Sequence, residues 1–194
     1  MSASLSKQLE EQIDDFIVRA LAEDVGDGDH TSLACIPADS RSTARLLVKE
    51  PGILAGVAIA ERVFKHLDPS AEIDIKIADG QYMSYGDEAF FVTCNSQALL
   101  KAERLVLNTM QRMSGIATLS NRFKFEIEDL AVKILDTRKT TPNLRFIEKW
   151  AVRLGGCNNY RDGLYDRIMI KDNHIDACGS IKGAIESVAA YQQE

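Results

Sequence analysis

The stretch VKILDTRKTTPNLR, residues 132–145, changes character halfway along its length. Its first four residues form a mostly apolar run that is typical of a buried strand, and a row of charged and hydroxyl side chains follows. The stretch RIMIKDNH, residues 167–174, has the same order of an apolar run and a polar segment. Because ligands of parallel β/α folds bind at the carboxyl ends of strands, the two polar segments predict a binding site. The alternative interpretation is that both segments are polar only because strands end at the surface.

Upstream of these stretches, the hydrophobic pattern is typical of an antiparallel α+β domain. The predicted elements are an amphipathic helix at 4–24, a strand–turn–strand segment at 42–56, a helix at 57–67, and strands at 71–80 and 86–96. We expect these strands to form a mostly antiparallel sheet.

Downstream, helices alternate with short apolar runs, which is the pattern of parallel β/α units. The predicted elements are a helical region at 97–129 broken near Ser114 and Gly115, strands at 131–135 and 167–170, a helix at 143–154, and a helix at 180–191 capped by Ser180.

The predicted fold class is therefore α/β, with two domains. Residues 1–111 form an N-terminal α+β domain with its linking helix, and residues 112–194 form the start of a TIM-like β/α barrel. The second domain has room for only about two or three β/α units of roughly 30 residues each. Because a closed barrel takes about 200 residues, we expect the barrel to be incomplete in this chain.

Composition and charge narrow the class of ligand. The chain has 194 residues and a net charge of −6, which argues against nucleic acid as the main partner. Residues 136–171 nevertheless hold an excess of cations, which favours a small anionic ligand; a salt-bridged helix surface is the alternative. No apolar run is long enough for a membrane span, and the four cysteines form no CxxC pair that would predict a zinc site. Without a secretory signal, we expect a cytoplasmic protein.

The segment DTRKTTPNLRFIEKWAVRLGGCNNYRDGLYDRIMIKDNHI, residues 136–175, resembles the signature region of the quinolinate phosphoribosyltransferase family. Segments at 23–32, 49–56 and 102–118 also resemble parts of that family. The resemblance implies a pentosyltransferase of NAD biosynthesis. It would transfer a phosphoribosyl group from phosphoribosyl pyrophosphate to quinolinate with decarboxylation, giving nicotinate mononucleotide, pyrophosphate and carbon dioxide, with Mg²⁺ as cofactor.

The resemblance also implies roles for individual residues. Arginine forks suit carboxylates, so Arg138 and Arg161 are expected to bind the two carboxylates of quinolinate. Lys139 and Lys171 are expected to line the same anion pocket as catalytic cations. Arg104 matches an arginine that reaches into the partner's site, which implies a homodimer, although a surface charge pair is the alternative for it. The substrate-binding set is completed by Thr137, Asn159 and Tyr160, and the family block at Asn173 and His174 either binds substrate or orients the strand end.

The chain departs from the family pattern in the loop before Arg161. Cys157 stands where a third glycine is usual, and Tyr160 stands where a histidine is usual. Because tyrosine carries no positive charge near neutral pH, the function of the histidine is in doubt here. The acidic residues expected to meet Mg²⁺ belong to later strands of the family, so no metal ligand is predicted in this chain. Two alternatives stay open: the paralogue associated with molybdenum transport, and a non-catalytic dimeric remnant that binds an anion.

Overall fold

The computed structural model describes residues 6–193, and the contacts within the chain divide it after Tyr160 into two compact units. The first unit contains an antiparallel sheet and most of the helices, and the second contains two short helices. The elements are α1 Lys7–Val25, α2 His30–Cys35, β1 Arg41–Leu47, β2 Gly52–Ile53, α3 Val57–Leu67, β3 Glu72–Ile75, β4 Tyr82–Met83, β5 Glu88–Asn95, α4 Ser96–Phe125, α5 Arg145–Leu154, α6 Asp172–Cys178 and α7 Ile181–Tyr191.

The N-terminal sheet is antiparallel, as the sequence predicts. Its strand order is β1-β5-β3, and β2 pairs with β4 in a separate two-stranded sheet. Along β5, the residues that face inwards, including Phe90, Val92 and Cys94, alternate with less buried ones such as Thr93. Phe90 packs edge-to-face on Phe64 of α3, with ring centroids 6.3 Å apart. The period-two pattern therefore places one face of the sheet on the helices.

Helix α1 follows from its apolar spacing and its cap. Ile13, Ile17 and Leu21 recur every four residues and are buried, so they form one face of the helix. The side chain of Ser6 caps the helix by accepting a hydrogen bond from the backbone N–H of Leu9. The predicted start of this helix at residue 4 lies outside the described residues.

Helix α4 is continuous over 30 residues, so the predicted break at Ser114 and Gly115 is wrong. Ser114 is buried, and its hydroxyl has partners there. It accepts a hydrogen bond from the N–H of Ala55 and donates one to the carbonyl of Ala55. One turn later, the Thr118 hydroxyl accepts from the N–H of Ile53 at 2.9 Å. These hydroxyls dock the β2 segment on α4, and one glycine costs a helix of this length only about 1 kcal/mol.

The strands predicted at 131–135 and 167–170 do not form within the described residues. In the first of these segments, only Leu135 pairs, through an isolated parallel bridge with Asn158. Two hydrogen bonds of 3.0 Å make this bridge: Asn158 N–H donates to Ile134 O, and Asp136 N–H donates to Asn158 O. An apolar run favours extended backbone, but a strand also needs a hydrogen-bonded neighbour.

The bridge nevertheless joins two parallel segments that are connected by α5, which is a rudimentary β/α/β unit. The mixed α/β class with an N-terminal sheet domain is confirmed. Helix α5 begins two residues later than predicted, and Ser180 caps α7 as predicted by accepting from Gly183 N–H at 2.9 Å. The domain boundary at residue 111 lies within α4, the linking helix, and stays a prediction.

Candidate functional site

The carboxyl ends of the two bridged segments meet at a buried carboxylate, Asp136. Its oxygens accept hydrogen bonds from Lys149 Nζ at 2.6 Å, from Asn159 Nδ2 at 2.6 Å and from the N–H of Tyr160 at 2.9 Å. The side chains of Lys149 and Asp136 are only 5% and 8% exposed. We call Asp136, Lys149 and Asn159 the Asp136 cluster. This cluster fixes the backbone at the point where residues 137–140, which include Arg138 and Lys139, follow the bridge.

A second buried carboxylate, Glu148, holds the backbone at Thr141, directly after residues 137–140. Glu148 accepts hydrogen bonds from Arg112 Nε at 2.8 Å and from the N–H of Thr141 at 3.2 Å. Arg112 Nη2 also donates to Glu148 and to the Thr141 hydroxyl. We call Glu148, Arg112 and Thr141 the Glu148 cluster. Next to it, Arg145 Nε donates to the hydroxyl of Thr140 at 3.0 Å, which ties the same stretch of backbone to α5.

The predicted binding residues Thr137, Arg138 and Lys139 lie between these two clusters. The Thr137 hydroxyl accepts from the N–H of Lys139 at 3.1 Å, which closes a local turn. Lys139 is exposed and Arg138 is half-buried. The Nε of Arg138 is shielded from solvent, yet it has no hydrogen-bond partner within residues 6–193. An unpaired buried N–H costs about 1–3 kcal/mol, so this atom suits an acceptor supplied by a ligand.

Asn159 and Tyr160 contribute to the geometry mainly through the Asp136 cluster. The amide group of Asn159 donates both to Asp136 and to the carbonyl of Lys149, the latter at 2.8 Å. Both N–H donors of that side chain are thereby used, and only its carbonyl oxygen is left for a further partner. The backbone of Tyr160, the last residue of the first unit, is fixed by its hydrogen bond to Asp136.

The loop before Asn159 packs tightly on α4. A side chain at Gly155 would place its Cβ 2.3 Å from Ala117 O and 2.6 Å from Ser120 Cβ, so only glycine fits. Cys157 is buried, and its Sγ donates to the carbonyl of Ser120 at 3.2 Å. Burial raises the pKa of the Cys157 thiol, which keeps it protonated near neutral pH. Cys157 is therefore a packing residue of this loop.

Arg104 lies on the exposed side of α4. In the described part of the chain, its guanidinium forms no ion pair and no hydrogen bond. The surface charge pair that is the alternative for Arg104 is therefore not formed within residues 6–193. The first unit brings together Thr137, Arg138, Lys139, Asn159 and Tyr160, and within that unit Arg104 forms no hydrogen bond or ion pair with any of them.

Within the second unit, Arg161 is 7% exposed, and its Nη1 donates to the carbonyl of Arg167 at 3.4 Å. Lys171 is exposed at the start of α6. The N–H of Lys171 donates to Nδ1 of His174 at 2.9 Å, so His174 orients the backbone at that helix start. Arg161 and Lys171 both lie in this unit, apart along the chain from the segment at 136–141.

Two findings limit what else the described residues provide. No group of three or more His, Cys, Asp or Glu side chains within residues 6–193 is placed to hold a metal ion. None of the helices in that range is both long and apolar enough to cross a membrane.

Comparison with known proteins gives two matches to domain models. The model for the N-terminal domain of quinolinate phosphoribosyl transferase matches residues 29–114, and the model for its C-terminal domain matches residues 116–194. The structure is similar to the crystal structure of NadC from Streptococcus pyogenes, at a TM-score of 0.91 and 39% identity, covering 98% of this chain and 67% of that one.

The chain belongs to the quinolinate phosphoribosyltransferase family. It is 48% identical over 176 residues to the chloroplastic nicotinate-nucleotide pyrophosphorylase [carboxylating] of Arabidopsis thaliana, covering 90% of this chain and 50% of the relative. It is 42% identical to a probable nicotinate-nucleotide pyrophosphorylase of Synechocystis, covering 91% of this chain and 59% of that protein. The chain thus spans about half the length of the first curated relatives.

Proposed function

We propose that this chain provides part of the quinolinate-binding site of an enzyme that makes nicotinate mononucleotide from quinolinate and phosphoribosyl pyrophosphate. The observation that carries the proposal is Arg138, whose Nε is buried without an acceptor on a segment held at both ends. A planar guanidinium fork matches a carboxylate, and quinolinate is a pyridine with two carboxylates. The names of the relatives, among them quinolinate phosphoribosyltransferase [decarboxylating] 2a, mitochondrial, of Nicotiana tabacum, support the same substrate.

The proposed reaction needs charge placement and no protein nucleophile. The ring nitrogen of quinolinate forms a bond to C1 of the ribose while the bond from C1 to pyrophosphate breaks, and the leaving group takes the electron pair. C1 gains positive charge on the way, and the ring nitrogen becomes cationic. The adjacent carboxylate then leaves as carbon dioxide, its electron pair stays on the ring carbon, and a proton from solvent replaces it. Fixed cations that neutralise the diacid and the pyrophosphate supply this catalysis.

Within that reaction, Arg138 and Arg161 are proposed to bind the carboxylates, and Lys139 and Lys171 to carry negative charge as catalytic residues. The exposed position of Lys139 beside Arg138 supports its part. Thr137 is proposed as a neutral donor. Asn159 is proposed to contact substrate only through its carbonyl oxygen, because both of its N–H donors are used within the chain.

Mg²⁺ is proposed to arrive with phosphoribosyl pyrophosphate, whose phosphates are suitable ligands. Because residues 6–193 contain no group of three metal-binding side chains, no step is assigned to a metal held by them.

A homodimer is proposed from the exposed face of α4. Arg104, Gln111, Gly115 and Arg122 share this face, because spacings of seven and four residues are close to whole turns of about 3.6 residues. The last three line a groove of about 570 Å³ between α4 and the turn that joins β1 to β2. A second copy on this groove would cover its apolar floor and take Arg104 towards the partner. A cytoplasmic location is proposed in addition, supported by four cysteines that form no disulfide.

Quinolinate binding measured by calorimetry tests the proposal, with Arg138→Ala compared with Arg153→Ala. Arg153 is an exposed residue of α5, so its variant controls for the loss of one positive charge. We expect Arg138→Ala to lose about 2–5 kcal/mol of binding free energy, because one carboxylate is left unpaired, and Arg153→Ala to lose little. Equal affinity in the two variants would refute the assignment of Arg138. Formation of nicotinate mononucleotide with phosphoribosyl pyrophosphate and Mg²⁺ separates an enzyme from an anion-binding remnant.

A further inference from the structure

Two charge clusters, each built on a buried carboxylate, bracket a segment of four residues, and the proposed reaction gives the charged groups of neither cluster a direct part. The Asp136 cluster holds the start of residues 137–140, and the Glu148 cluster holds the end. Lys149 and Glu148 are consecutive on α5, and they are 4% and 7% exposed. One turn of one helix therefore provides the charge that fixes both ends of the segment that carries Arg138.

Stability alone does not account for these clusters. Taking the Lys149 ammonium and the Asp136 carboxylate out of water is unfavourable, and an apolar pair of similar volume is often as stable or more so. Each carboxylate, however, also accepts a hydrogen bond from backbone: Asp136 from the N–H of Tyr160, and Glu148 from the N–H of Thr141. An apolar pair would not fix those amides. The buried carboxylates therefore hold the backbone on either side of residues 137–140 in one position.

We propose that Lys149 and Glu148 are positioning residues that set the location of Arg138 for carboxylate binding. This inference rests on the proposed function, since Arg138 is there the group that binds quinolinate. Lys149 holds Asp136, and Asp136 holds the bridge end and Tyr160. Glu148, itself held by Arg112, binds the N–H of Thr141. Neither Lys149 nor Glu148 touches the substrate; both act through the segment between their partners.

A double-mutant cycle on quinolinate affinity tests this action. The variants are Lys149→Met, Arg138→Ala and the double variant. We expect Lys149→Met to weaken binding about tenfold in the wild-type background and less than about twofold in the Arg138→Ala background, since coupled residues are not additive. The same loss in both backgrounds would mean that Lys149 affects binding by a route other than Arg138, and would overturn the proposal. Glu148→Gln keeps the shape of the side chain. We expect it to weaken quinolinate binding by about the same factor as Lys149→Met in each background.

Lys133→Met is the matched control. It makes the same chemical change at an exposed residue outside both clusters. We expect it to leave the affinity within about twofold of wild type, as is usual for surface substitutions. A loss in Lys133→Met equal to that in Lys149→Met would assign the effect to net charge and refute the positioning role.

Hydrogen exchange separates a failure of this inference from a failure of the proposed function. The amides of Thr141 and Tyr160 are bonded to the two buried carboxylates. We expect Glu148→Gln to speed exchange at Thr141 and Lys149→Met to speed it at Tyr160, each about tenfold, with no change in Lys133→Met. If the wild-type chain shows no quinolinate binding, the proposed function fails, while exchange still reports on the clusters. Unchanged exchange in both cluster variants would refute the inference whatever the affinity.

Discussion

At the scale of single residues, Tyr160 stands where the family usually has histidine, and the structure shows which properties of the position this exchange leaves unchanged. The N–H of Tyr160 donates to Asp136, so the backbone here is fixed by a bond that any residue except proline can make. Tyrosine in place of the family's usual histidine therefore keeps the backbone geometry of the Asp136 cluster. What it changes is charge, because an imidazole gains a proton below about pH 6.5 and a phenol does not.

Tyr160→His should make quinolinate affinity depend on pH. If the side chain at 160 faces the diacid, an imidazolium adds attraction, so affinity should rise several-fold relative to wild type as the pH falls from about 7.5 to 6. Calorimetric titrations at a series of pH values measure this, with Tyr160→Phe as the uncharged control. A Tyr160→His variant whose affinity follows the wild type at every pH would remove Tyr160 from the proposed binding set.

The sequence gives a signal for Arg138 and Lys139, but none for the charged residues that hold the segment on which they lie. Arg138 and Lys139 are recognisable because they follow an apolar run directly, at the place where β/α folds bind ligands. Lys149 and Glu148 carry no comparable signal, since a charged pair in a helix usually indicates a solvated face. Their partners are Asp136, 13 residues away from Lys149, and Arg112, 36 residues away from Glu148. Only the fold shows that Lys149 and Glu148 are buried and paired.

At the scale of elements, the packing of the 155–157 loop on α4 positions the bridge that carries Asn159. Gly155 has negative φ, so an alanine fits its backbone conformation, and the restriction comes from space alone. The Cβ of an alanine would lie 2.3 Å from the carbonyl oxygen of Ala117, an atom of a helix that cannot move easily. Gly115 of the same helix α4 has nothing within 4 Å of its Cβ position.

The two glycines therefore predict opposite effects of one change. Gly155→Ala should destabilise the protein by about 1–3 kcal/mol, because the loop must move away from α4. Gly115→Ala should stabilise it by roughly 0.5–1 kcal/mol, because alanine is the better residue in a helix interior and its Cβ would meet no other atom of the chain here. Urea unfolding followed by far-UV circular dichroism measures both. Similar stability of Gly155→Ala and wild type would show that the loop does not pack on α4 as closely as described.

The errors of sequence-based prediction at this scale have one cause. An apolar run at 131–135 predicts extended backbone correctly around Leu135, but it does not reveal which neighbour supplies hydrogen bonds. Ser114 and Gly115 are helix breakers by propensity, yet the buried hydroxyl of Ser114 finds both its partners in Ala55, across the unit. Helix α5 and the cap of α7 depend on local signals and are predicted well. The other elements depend on hydrogen-bond partners that are distant along the chain, and these are not visible in a local sequence pattern.

At the scale of the whole molecule, the carboxylates that titrate differently in the folded chain set its response to pH. Asp79 is half-buried and accepts hydrogen bonds from Val57 N–H at 2.8 Å and Ala58 N–H at 3.1 Å, at the start of α3. Burial outweighs these bonds and raises the pKa of Asp79 above its ordinary value of 3.8. The opposite case is Asp68, whose pKa is lowered by the Ser70 hydroxyl and by the N–H of Asn95.

These two shifts predict opposite dependences of the free energy of unfolding on pH. A raised folded-state pKa means that the contribution of Asp79 is full below pH 3.8 and falls as the pH rises through that pKa. A lowered pKa means that the contribution of Asp68 is present above pH 3.8 and is lost as the pH falls. Relative to wild type, Asp79→Asn should therefore become more stable, and Asp68→Asn less stable, as the pH rises from about 3 to 7. Thermal unfolding of the three proteins across that range measures the slopes, and slopes of the same sign for the two variants would contradict the burial of Asp79 as the cause.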